Sequence, residues 1–111
     1  MAKDLAWAIK GGDVDEVKAM LTDDNVNLNL ENGRKPLHVA ADFGHPELIK
    51  FLVSNGADIN ALDKHGFSPL MTACLEGHPS CVKVLLEMGA QKPQKSLDDL
   101  DTSTEIKEML K

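Results

Sequence analysis

Apolar residues fall in short clusters along this chain, and between residues 36 and 90 a glycine follows each cluster. Leu48, Ile49, Leu52 and Val53 stand at i, i+1, i+4 and i+5, and Cys81, Val82, Leu85 and Leu86 repeat that set 33 residues later. A stripe of this period gives a helix one buried face and one solvated face. The same interval relates Lys35-Pro36-Leu37-His38-Val39-Ala40-Ala41 to Ser68-Pro69-Leu70-Met71-Thr72-Ala73-Cys74, and Gly44-His45-Pro46 to Gly77-His78-Pro79. Asn55-Gly56-Ala57 and Met88-Gly89-Ala90 keep the register. Two short helices per unit are therefore predicted.

The punctuation supports those helices. Pro36, Pro46, Pro69 and Pro79 suit the first helical position, where the missing N–H would be unpaired anyway. Ser68 can cap its helix through its hydroxyl, whereas Lys35 cannot. Gly44 and Gly77 are expected to end the first helices in a left-handed turn, and Gly56 and Gly89 to stop the second ones. Between units, residues 26–33 and 58–66 lose the helical period. The first segment ends in Asn32-Gly33, a tight-turn signal, and Gly66 suits a positive φ in the second. Each predicts a projecting finger.

A 33-residue period opening on Pro-Leu-His is the signature of ankyrin repeats. The predicted fold class is all-α, an ankyrin-repeat solenoid of stacked helix-turn-helix units with β-hairpin-like fingers. At 111 residues the chain is expected to form one domain. Residues 1–33 are expected to be an N-terminal capping unit and 34–66 and 67–99 full repeats, the second shortened at its end. Residues 100–111 would be a truncated C-terminal cap. Its expected helix carries Ile106, Met109 and Leu110, with Thr102 as cap and Glu105 completing a capping box. The stretch Gln91 to Asp101 is expected to be partly irregular.

Composition narrows the function. With 18 acidic against 12 basic residues the net charge is −6, which disfavours nucleic acid and favours a partner with a basic patch. Solubility alone is the plainer account of that charge. No apolar run approaches a membrane span, and Met1-Ala2-Lys3-Asp4 leads into an amphipathic stretch rather than a secretory signal. A cytosolic or nuclear address with two free thiols is expected.

Catalytic and metal motifs are lacking. There is no phosphate-binding glycine loop, nucleophile elbow or His-Glu-x-x-His. Cys74, His78 and Cys81 resemble a ligand cluster, but Gly77 and Pro79 interrupt any shared helical face, so both thiols are better read as small buried hydrophobes. His38 is expected to bridge backbone groups of neighbouring units, and His45 and His78 to satisfy loop or helix-end backbone. Neither an enzyme, a metal nor a cofactor is expected. The remaining surface, fingers plus the exposed side of the first helices, offers Trp7, Glu31, Arg34, Asp42 and Phe43, with Asp63, Lys64, His65 and Phe67 beside them. Packing between units is the alternative for Trp7, and an ordinary solvated charge for Glu31 and Asp42.

The segments Trp7 to Lys18, Glu31 to Asp42, Gly56 to His65 and Glu76 to Lys83 resemble the myotrophin family, over about residues 5–90. That resemblance implies an inhibitor that binds the basic surface of the heterodimeric actin capping protein and keeps it off filament barbed ends. It implies Trp7, Glu31, Arg34 and Asp42 as contacts. Phe43 stands beside them where a smaller residue is expected. The implied protein is a monomer, cytoplasmic and also nuclear. A general adaptor for transcription or signalling proteins is the alternative.

Overall fold

The computed structural model describes residues 4–92 and 102–111. Among them the chain forms seven α-helices and no strand: α1 (Leu5–Gly11), α2 (Val14–Met20), α3 (Pro36–Asp42), α4 (Pro46–Ser54), α5 (Pro69–Leu75), α6 (Pro79–Glu87) and α7 (Thr104–Met109). Helices α1, α3 and α5 pack side by side as one layer, and α2, α4 and α6 back them as a second. Helix α7 packs on α6.

Local chemistry sets these boundaries. The Asp4 carboxylate accepts from the Trp7 N–H at 2.8 Å, and Asp13 and Ser68 cap α2 and α5 in the same way. All four predicted prolines open their helices. Lys35 offers no cap to α3, and His38 compensates: its Nδ1 accepts from the Lys35 N–H at 2.9 Å. The C-terminal cap differs from expectation. Ser103, not Thr102, caps α7, accepting from the Ile106 N–H, while the Thr102 hydroxyl donates to the Cys74 carbonyl. The helix thus begins one residue later, which moves Glu105 out of the capping-box position. The expected irregular stretch Gln91 to Asp101, and the boundary at 99/100, lie outside the described residues from 93 onward.

One aliphatic core runs through both layers. Ile9, Leu37, Leu48, Ile49, Leu52, Leu70, Leu85 and Ile106 are fully buried, and Val53 and Leu86 pack at its margin. Histidines tie the units together. His38 Nε2 lies 2.8 Å from the Phe67 carbonyl, His45 Nε2 2.8 Å from that of Lys10 and His78 Nε2 2.8 Å from that of Asp42. A carbonyl only accepts, so each Nε2 carries the proton. Asparagines, which sequence reasoning missed, add a second tie. Asn27 bonds Gly56 and Asp58 of the next unit, and Asn60, one period later, bonds Gln91.

Candidate functional site

The fingers are turns rather than strand pairs. In the first, Asn32 and Gly33 both hold positive φ, 61° and 71°, and Leu30 N–H donates to the Arg34 carbonyl at 2.7 Å. In the second, the Asp63 carboxylate accepts from the amides of His65 and Phe67, and Asp63 N–H donates to the Phe67 carbonyl. The two tips are stitched together, since Lys64 N–H donates to the Asn32 carbonyl at 2.8 Å. That stitch explains Gly33: a Cβ there would stand 3.1 Å from the Lys64 nitrogen.

Between α1 and the first finger lies a cleft of about 420 Å³, lined by Asp4, Ala6, Trp7, Lys10, Leu30, Glu31, Arg34 and Val39. Trp7, in the first turn of α1, leaves 51% of its surface exposed. Glu31 stands exposed at the finger, and its carboxylate has no ion-pair or hydrogen-bond partner among the described residues. Arg34, which also lines the cleft, is ion-paired. Its Nη2 meets Asp42 Oδ2 at 2.8 Å, with both side chains three-quarters covered. Phe43 follows Asp42 and is 45% exposed, and the Lys10 ammonium lies 5.9 Å from its ring centre.

Trp7, Glu31 and Arg34 thus meet in the cleft, and Arg34 and Lys10 link it to Asp42 and Phe43. The tertiary arrangement alters what each offers. Asp42, expected as a contact with an ordinary solvated charge as the alternative, is ion-paired to Arg34. Among the described residues Glu31 has no ion-pair partner. Lys10 and Asp4 were not anticipated. Lys10 could have been found, since it sits two residues before Gly12 as Asp42 sits two before Gly44. Lys64 and His65 are exposed on the second finger, and the His65 ring lies 6.1 Å from that of Phe67.

The remaining titratable candidates are structural. Cys74 and Cys81 are buried free thiols, and burial pushes each up to about 11. Burial likewise pulls the His38 imidazole below 6.5, against the opposing pull of its bond to the Phe67 carbonyl. Among the described residues no three His, Cys, Asp or Glu side chains converge as a metal site, and no helix is long and apolar enough to cross a membrane.

Stacked helix pairs, bridging histidines and stitched finger tips define an ankyrin array, a protein-binding class of fold. A family profile for ankyrin repeats, in three copies, matches residues 5–96, and the chain belongs to that family. Within it the chain is myotrophin-like. It is 51% identical over 57 residues to Myotrophin of Xenopus tropicalis, a match covering 50% of this chain and 48% of that protein. To Myotrophin of Homo sapiens it is 56% identical over 43 residues, 38% of this chain and 36% of the relative. For Myotrophin of Danio rerio the values are 60% over 37 residues, 32% and 31%. The matched stretch therefore spans about half the length of these curated relatives, or less.

Proposed function

We propose that this chain binds the basic surface of the heterodimeric actin capping protein and keeps it off filament barbed ends, so that filaments continue to grow. It would act as one rigid ankyrin domain, a monomer working in the cytoplasm and also the nucleus. The supporting observation is the Trp7–Glu31 cleft. There an aromatic residue of a type enriched at interface hot spots lines the same cleft as a carboxylate that has no ion-pair partner among the described residues. A net charge of −6 would draw a cationic partner toward that edge.

Barbed-end elongation of actin in the presence of capping protein tests this directly. The chain is expected to restore elongation. Glu31→Arg should weaken binding at least ~10-fold, because it sets like charges against each other. Asp42→Arg should do the same for a different reason: it also expels the Arg34 guanidinium from its pair. Full activity of both variants at low salt would exclude this surface.

A further inference from the structure

One buried ring fastens the bases of both fingers. His38 is the one polar side chain fully buried among the described residues. Its Nδ1 accepts from the Lys35 N–H at 2.9 Å, just after the first finger, and its Nε2–H donates to the Phe67 carbonyl at 2.8 Å, just after the second. The His38 carbonyl takes a longer bond, 3.4 Å, from Arg34 Nη2, the nitrogen that also pairs with Asp42. The finger that carries Glu31 and Arg34 therefore joins α3 through a contact that exists only while Nδ1 keeps its lone pair.

A second proton would undo that contact. Both nitrogens of a charged imidazole are donors, so Nδ1–H would be set against the Lys35 N–H. Burial opposes the charged ring most strongly; the Phe67 carbonyl and the Asp63 carboxylate favour it, and Arg34 opposes it. The helices packed against α3 bring Asp4 and Lys10 at α1, His45, Glu47 and Lys50 at α4, and the Cys74 thiol in α5. None of these bonds to the ring, whose two hydrogen bonds both go to main chain. Of the three histidines that tie units together, His45 and His78 each make one ring bond, an Nε2–H to a carbonyl that a charged ring still donates. Only His38 has a bond to lose.

We propose that His38 is a proton-operated latch on the binding edge: a second proton, taken from solvent onto Nδ1, releases the Lys35 amide, loosens the first finger from α3 and weakens the partner's hold on Glu31 and Arg34. The effect on the partner rests on the protein-binding reading above, whereas release of the finger concerns this chain alone. Its window is mildly acidic. The folded ring becomes half charged only below pH 6.5, so the finger is fastened above that value and freed as pH falls.

Two measurements test it. In the first, the ¹⁵N-labelled full chain is titrated from pH 8 to pH 5 while NMR follows the His38 ring and the finger amides. The ring should titrate with a midpoint below 6.5, and with the same midpoint the Lys35 amide proton should move upfield and the amides of Glu31 to Arg34 should shift. A ring that titrates while the Lys35 amide holds still would overturn the proposal, as would a ring that stays neutral down to pH 5. In the second, affinity for the capping protein is measured at pH 7.5 and pH 5.5 for the native chain and for His38→Gln, whose amide offers an acceptor and a donor but no titrating proton. Native binding should weaken severalfold more than that of the variant at the lower pH. An equal fall in both chains overturns the coupling to the partner. No binding by either chain at either pH defeats the parent reading instead, and the amide titration then decides the latch alone.

Discussion

His38 holds two backbone groups with one neutral ring. Nδ1 accepts from Lys35 and Nε2–H donates to Phe67, so a second proton has no place on Nδ1. The His38→Ala variant leaves both half-buried groups without their partner, and an unsatisfied buried group costs about 1–3 kcal/mol. A drop of about 2 kcal/mol or more in unfolding free energy is expected from urea titration. The same ring makes stability depend on pH. The folded value lies below 6.5, so the contribution is complete above the unfolded value and is lost as pH falls from there through the folded one. Urea midpoints measured between pH 8 and pH 5 should decline below 6.5, and a His38→Gln variant should follow a flatter course. The thiols give a second check at this scale. With values raised to about 11, Cys74 and Cys81 should react slowly with a thiol reagent at pH 8 in the native protein and quickly in denaturant.

Turn glycines show why similar sequence signals differ in weight. Gly44 and Gly66 hold nearly the same backbone angle, φ 76° and 79°. A Cβ on Gly44 would lie 2.8 Å from His78 Nδ1, whereas one on Gly66 meets nothing within 4 Å. Gly66→Ala should thus cost on the order of 1 kcal/mol of backbone strain. Gly44→Ala should cost distinctly more, because it also displaces the ring that bonds the Asp42 carbonyl. Thermal melts of the two variants compare these terms. Helix pairs, proline starts and the Asn32-Gly33 turn were legible in the sequence because each depends on residues close in the chain. The α7 cap was misplaced by one residue for the same reason. Thr102 and Ser103 are equivalent local caps, and the choice falls to a distant group, the Cys74 carbonyl that takes the Thr102 hydroxyl.

At the scale of the whole molecule, charge governs encounter more than fold. With a net charge of −6, association with a basic protein should slow steeply with added salt while dissociation changes little. Raising ionic strength from 0.01 M to 0.15 M shortens the screening length from about 30 Å to about 8 Å, and stopped-flow rates across that range would register the fall. An association rate indifferent to salt would leave steering without a role. The array extends 42 Å along its long axis and 24 Å across. On a body of that size one edge can meet a partner while the opposite face stays clear of it.

The chain by itself determined the repeat, its helix pairs and the aliphatic core, because periodicity and turn chemistry are written within a few tens of residues. It also marked Trp7, Glu31, Arg34, Asp42 and Phe43 as surface candidates. Which of their charges stay available was decided only by folding. Stacking α1 against α3 brings Lys10 over Phe43 and opens a cleft between Trp7 and the first finger. The turn into α3 carries Arg34 onto Asp42. Pairing across repeats depends on distances of a few ångströms between residues far apart in sequence, and no local signal encodes those.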